Sequence, residues 1–125
     1  MISIGTDICS IKRIEDAYLK FGERFPLKIL SPEEYTVFQS LISSRKTAYL
    51  SKRFAAKEAV SKALACGIGS TLSFKDVWVL NNPDGSPYLS FSDNANALLK
   101  NKDITKTLIS LSDEKEYALA FAVFS

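Results

Sequence analysis

Apolar positions along this chain change period several times, and each change marks an element. Ile2, Ile4 and Ile8 fall at the even spacing of a strand and run through the turn-prone Gly5-Thr6-Asp7, which predicts a short first strand. From Ser10 onward Ile11, Ile14, Tyr18 and Phe21 recur every three or four residues, the period of an amphipathic helix that Gly22 can end and that shows Lys12, Arg13 and Lys20 to water. Ser31-Pro32-Glu33-Glu34 has the form of a capping box, with Ser31 as N-cap, proline where no N–H is needed and Glu34 reaching back. A second helix to about Leu41 follows. The stretch from about Thr47 to Ala65 contains neither glycine nor proline, so it predicts the longest helix, stopped by Gly67. Ala48, Ala55, Ala59 and Ala63 fall on one side of it, a narrow stripe that admits close approach of another element.

The second half has a different rhythm. Val77-Trp78-Val79-Leu80 and Tyr88-Leu89-Ser90-Phe91 flank the turn residues Asn81-Asn82-Pro83-Asp84-Gly85 and predict a β-hairpin. A short helix from Asp93 to about Lys100 leads to two further strands, Leu108–Leu111 and Tyr117–Val123, joined at Asp113-Glu114-Lys115. The order β-ααα-ββ-α-ββ lacks a βαβ rhythm and predicts an α+β fold, its mainly antiparallel sheet packed against the long helix. No repeat, low-complexity tract or linker interrupts it, so residues 1–125 read as a single domain.

Composition narrows the chemistry. At 125 residues, with 46% hydrophobic and 24% charged residues, disorder and fibrous repeats are excluded. There is no histidine, which removes Ser-His-Asp and Cys-His catalysis and leaves carboxylates, lysines or a metal-held water for proton transfer. Cys9 and Cys66 form no C-x-x-C pair, the N-terminus has no basic region before an apolar run, and no apolar stretch approaches the ~20 residues of a membrane span. The expectation is a cytoplasmic protein with reduced thiols and no membrane contact. The net charge of +2 is uneven: all four arginines, Arg13, Arg24, Arg45 and Arg53, lie in the first half, which points to an anionic ligand or partner there.

Every charged residue from Arg45 to Lys62 is basic except Glu58. Spacing alone makes Glu58 and Lys62, or Arg53 and Lys57, ordinary helix-surface neighbours. A lone carboxylate among cations also suits a metal whose remaining ligands are phosphate oxygens, and Asp7 is a second hard oxygen donor if the fold brings it close. Asp7 alone reads equally well as a turn or cap residue. Gly67-Ile68-Gly69 follows a helix and is too short for a dinucleotide turn, and no P-loop pattern occurs.

Two blocks carry a resemblance: Ile4-Gly5-Thr6-Asp7-Ile8 with Ile11 and Arg13-Ile14, and Arg53-Phe54-Ala55-Ala56-Lys57-Glu58-Ala59 with Lys62-Ala63-Leu64. Together with Ile29-Leu30-Ser31 and Glu34, Gly85 with Pro87, and Ser110-Leu111-Ser112 with Tyr117-Ala118, they make the whole chain similar to the holo-[acyl-carrier-protein] synthase family of small phosphopantetheinyl transferases. The resemblance implies magnesium-dependent transfer of phosphopantetheine from coenzyme A to a serine of apo acyl carrier protein, supporting fatty acid biosynthesis and releasing adenosine 3',5'-bisphosphate. It implies Asp7 and Glu58 as magnesium ligands, Glu58 and Lys62 as catalytic groups, and Lys62 at the coenzyme A pyrophosphate. Arg45 and Arg53 would contact the nucleotide phosphate, and Gly85 and Pro87 would shape the loop beside adenine. Arg13, Lys20, Phe21, Arg24 and Phe25 would receive the acidic carrier protein. The family forms homotrimers with sites between subunits, which suits this chain because Arg53 and Glu58 lie about 140° apart around a helix axis.

One position departs from the resemblance. Where the family usually has histidine after Ser110-Leu111-Ser112, this chain has Asp113, which removes a cation-capable ring near the nucleotide. Two other readings follow from the sequence: a weakened member that binds without efficient transfer, and a small basic nucleic-acid module. A pI of about 8.5 and the lack of a nucleic-acid motif weigh against the module.

Overall fold

The computed structural model describes residues 1–125 as β1 (Ser3–Ser10), α1 (Ile11–Phe21), α2 (Arg24–Ile29), α3 (Pro32–Ser40), α4 (Ser43–Ala63), β2 (Val77–Asn81), β3 (Pro87–Phe91), α5 (Asp93–Asn101), β4 (Thr107–Asp113) and β5 (Tyr117–Phe124). The expected order holds with one helix added. The addition, α2, lacks a side-chain N-cap and contains Pro26. Proline is tolerated there because a first-turn N–H has no intrahelical partner, and burial of Pro26 and Ile29 stabilises a segment too short to form alone.

Two boundaries of the long helix also differ. It starts at Ser43 and ends at Ala63, because Ala65 already turns left-handed at φ 57° ahead of Gly67 at φ 66°. The capping box at Ser31 is present, with Glu34 N–H donating to Ser31 Oγ at 3.3 Å and Ser31 N–H to Glu34 Oε1 at 2.7 Å.

The antiparallel strands divide into two sheets, β1-β5-β4 and the hairpin β2-β3. What fixes α4 against the larger sheet is the smallness of the residues between them. Ala118, Ala120 and Ala122 of β5 point inward, fully buried, against Ala55, Ala59 and Ala63 of the expected stripe. Gly5 stands opposite Ala122 in register, and a side chain there would collide with the Ala59 carbonyl oxygen. The close fit of β1 on α4 therefore follows from glycine and alanine alone. On its other side the sheet is apolar and exposed, with Ile4, Ile8, Leu108, Leu119 and Phe121 all open to solvent.

A second layer closes over α4 from the opposite direction. Ile29, Leu30, Phe38 and Leu50 are buried together, each contributing about 1.5–3 kcal/mol by leaving water. Beside them lies a pair that spacing places wrongly. Lys57 and Glu34 are wholly inaccessible to solvent and meet at 2.6 Å. Lys57 Nζ also donates to Ile29 O at 2.7 Å, while Glu34 Oε2 accepts from Val79 N–H at 2.7 Å. Burial pushes the Lys57 ammonium down, and the Glu34 carboxylate opposes that shift. Glu34 is thus a cap and also the tie between α3, α4 and the hairpin. Lys57 is not the surface neighbour that i,i+4 counting suggests.

Candidate active site

The inward alternation of β1 puts Asp7 on the side that faces α4, and Glu58 comes to meet it from the helix. Both line one cavity of about 300 Å³ with Cys9, Arg13, Ile14, Phe25 and Phe54. Lys62, one turn beyond Glu58, donates to Asp7 Oδ1 at 3.1 Å and to Thr6 O at 2.9 Å. The fold therefore assembles three groups from distant parts of the chain. Partial burial and the Asp7 charge raise the Glu58 carboxyl above its ordinary range, and Lys62 works against both. Burial, with Asp7 nearby, pushes the Cys9 thiol up to about 11, so it stays protonated. Two hard carboxylates at a partly open cavity, with a neutral thiol and an ammonium at its edge, fit a magnesium ion that keeps water and takes substrate phosphate oxygens.

Arg13 and Phe25 belong to this same cavity. Phe25 also borders an adjoining groove of about 320 Å³ made by Phe21, Arg24 and Lys28. Lys20 sits above the Phe21 ring, its Nζ 5.3 Å from the ring centre. The expected docking residues thus gather on α1 and α2, against the mouth of the carboxylate cavity. Lys28 joins them; the missing signal was α2 itself, since without that helix Lys28 has no face to share.

The residues expected at the nucleotide lie elsewhere. Arg45 is exposed and lines a separate cavity of about 300 Å³ with Leu41, Ser44, Ala48, Tyr49, Lys52 and Asp113. Arg53 is only 4% exposed, which corrects its reading as half of a solvated pair with Lys57. It donates from Nη2 to Asn81 Oδ1 at 2.7 Å and Val79 O at 3.4 Å, and its guanidinium stacks on Tyr49, 4.2 Å from the ring centre. Its Nε has no partner. Asn81 in turn donates to Gly85 O at 3.0 Å; Gly85 turns the hairpin at φ 89°, and Pro87 pairs with Asn81 in register. Arg53, Gly85 and Pro87 are thereby linked through Asn81. None of them shares the carboxylate cavity, and at 1.5 Å per residue Arg45 is about 20 Å along the helix from Glu58.

The sequence pattern of the 4'-phosphopantetheinyl transferase superfamily matches residues 3–122. The chain belongs to that superfamily. It is 42% identical over 124 residues to the holo-[acyl-carrier-protein] synthase of Vibrio vulnificus, covering 99% of this chain and 97% of the relative. It is 44% identical to that of Orientia tsutsugamushi, covering 98% and 95%. Among solved structures, the synthase of Neisseria meningitidis superposes with a TM-score of 0.93 at 39% identity, covering 100% and 99%. The Helicobacter pylori synthase, solved with coenzyme A, gives 0.85 at 34% identity, covering 98% and 99%. The fold of this transferase is thus the fold of those synthases across the whole chain.

Proposed function

We infer that this chain is a holo-[acyl-carrier-protein] synthase: it moves 4'-phosphopantetheine from coenzyme A to a serine hydroxyl of apo acyl carrier protein. The observation that carries the reading is the meeting of Asp7 and Glu58 at one cavity, with Lys62 bonded to Asp7 and a mouth that adjoins the basic and aromatic surface of α1 and α2. The serine oxygen forms a bond to the phosphorus that carries pantetheine, the bond to the nucleotide phosphate breaks, and adenosine 3',5'-bisphosphate leaves. Asp7 and Glu58 would hold magnesium, which when bound offsets the charge growing on the transferring phosphoryl group. Lys62 holds the pyrophosphate with its exposed ammonium. Glu58, or a water held by the metal, would take the serine proton. Arg13, Arg24 and Lys28 attract the acidic carrier, and Phe21 and Phe25 give it an apolar seat.

Coenzyme A carries its 3'-phosphate one ribose away from its pyrophosphate. On a single copy of this chain Arg45 and Lys62 are farther apart than that along α4, since they lie about 25 Å apart at 1.5 Å per residue. Two copies remove the conflict: one supplies Asp7, Glu58 and Lys62, and its neighbour supplies Arg45, Arg53 and the Gly85–Pro87 turn. The exposed apolar face of β1, β5 and β4 is a surface on which copies can pack, and a homotrimer is the assembly we propose. No helix is long and apolar enough to cross a membrane, and we place the enzyme in the cytoplasm, supplying carrier for fatty acid synthesis. Incubating the chain with coenzyme A, magnesium and an apo acyl carrier protein should add one phosphopantetheine to the carrier by intact-protein mass spectrometry, and a chelator should abolish the gain. No gain from folded protein would contradict the reading.

A further inference from the structure

We propose that Glu23, held by the hydroxyls of Tyr18 and Tyr35, is a positioning residue that fixes α2 and with it the basic and aromatic surface offered to the carrier protein. The assignment rests on the reading of this chain as a holo-[acyl-carrier-protein] synthase and deepens its carrier site. Glu23 directly precedes α2, where its carboxylate could cap the helix, yet it makes no capping bond. Its Oε1 accepts instead from Tyr18 Oη of α1 at 2.7 Å, and its Oε2 from Tyr35 Oη of α3 at 2.9 Å. One exposed carboxylate thus ties three helices together at the point where α2 begins. The tyrosine rings are themselves held, packing on buried Phe38 with ring centres 5.7 and 5.9 Å from it. Burial and the Glu23 bond push the Tyr18 hydroxyl up to about 12, so it stays a donor at neutral pH. Fixed donors on an ionised acceptor make a strong, directional clasp.

What the clasp controls is the carrier seat. Helix α2 has only six residues, too few to keep a conformation alone. Burial of Pro26 and Ile29 holds its inner side, and Glu23 fixes its start, next to Arg24 and Phe25. Arg24, Phe25 and Lys28 line the groove beside the carboxylate cavity, and Phe25 lines that cavity as well. A rotation of α2 would therefore displace the seat relative to Asp7 and Glu58. The charge of Glu23 gives the opposite expectation, since a carboxylate beside Arg24 opposes an acidic partner. Its contribution to carrier binding is geometric.

The test uses the full chain carrying Tyr18→Phe with Tyr35→Phe, which keeps both rings and every surface charge and removes only the two donors. Steady-state transfer assays should show the KM for apo acyl carrier protein raised about fivefold, the scale of one exposed hydrogen bond. The factor should be the same at low and high salt, because no charge has changed. The KM for coenzyme A, and kcat at saturating carrier, should stay within about twofold of the unaltered enzyme. Glu23→Asp keeps the charge, shortens its reach by one methylene and should give the same pattern. An unchanged KM for carrier in both variants, a change confined to thermal stability, or equal rises for both substrates would overturn the role of Glu23 and leave the reading of the enzyme intact. Absence of transfer by the unaltered chain would overturn both.

Discussion

Helix α4 has two working faces, and they are built on opposite plans. The face toward β1 is open: Asp7 and Glu58 line a cavity, Lys62 beside Asp7 is exposed, and its bonds to Asp7 and Thr6 are of the kind a ligand can replace. The face toward the hairpin is closed: Lys57 and Arg53 are buried and donate to Glu34, Ile29, Asn81 and Val79. One helix thus uses Lys57 to hold the molecule together and keeps Lys62 free to meet a ligand. Residue type does not distinguish the two jobs; position on the helix does.

The comparison can be broken first on its closed side. Lys57→Ala leaves the Glu34 carboxylate buried without its cation and should cost about 3–5 kcal/mol of stability, read as a lower denaturant midpoint; a loss below about 1 kcal/mol would show that the pair holds nothing. On the open side Glu58→Ala should leave the melting temperature nearly unchanged and reduce phosphopantetheine transfer by at least about a hundredfold. A Glu58→Ala protein that transfers at the normal rate would remove Glu58 from the site. A milder effect is expected at the mouth of the cavity, where Arg13→Glu should raise the KM for carrier protein about tenfold, more at low salt than at high, with the KM for coenzyme A unchanged. Equal effects on both substrates would break the assignment of α1 to the carrier.

The smallest effect sharpens the electrostatics. With its pKa pushed up to about 11 by burial and by Asp7, Cys9 should be about one part in a thousand thiolate at pH 8 and should alkylate far more slowly than free cysteine. Asp7→Asn should speed the reaction only in part, because burial is the larger cause. Labelling at the rate of free cysteine in the unaltered protein would contradict that placement.

Much of this was legible before any fold was known, and the residues show why. Period and cap chemistry identify β1, α1, α3, α4 and the hairpin, because each announces itself over a few consecutive positions, as Ser31 and Glu34 do. The alanine stripe announces a close partner without naming it, and only the fold shows that the partner is the Gly5 and Ala118–Ala122 surface of β1 and β5. The strand register that turns Asp7 toward Glu58 is a long-range fact, invisible in spacing. Helix α2 escaped because its stability is tertiary. Lys57 and Arg53 could have been placed from their own periodicity: Leu50, Arg53, Lys57, Val60 and Leu64 recur every three or four residues, a stripe on which a cation is buried with the leucines. The ion pair of Lys52 with Asp113, 3.3 Å apart, had no such signal, since it joins a helix to a strand that follows it by half the chain.

The central claim is that the carboxylate site on α4 and the nucleotide residues near the start of that helix serve one reaction from neighbouring subunits, and a complementation assay tests it most directly. A chain carrying Glu58→Ala lacks the carboxylate site, and a chain carrying Arg45→Ala with Lys52→Met lacks the cations of the cavity near the helix start. Each should be nearly inactive alone, whereas an equimolar mixture, unfolded and refolded together, should recover a substantial share of transfer activity, because some sites then combine an intact half from each chain. Activity no greater than the average of the two separate preparations would contradict a site shared between subunits.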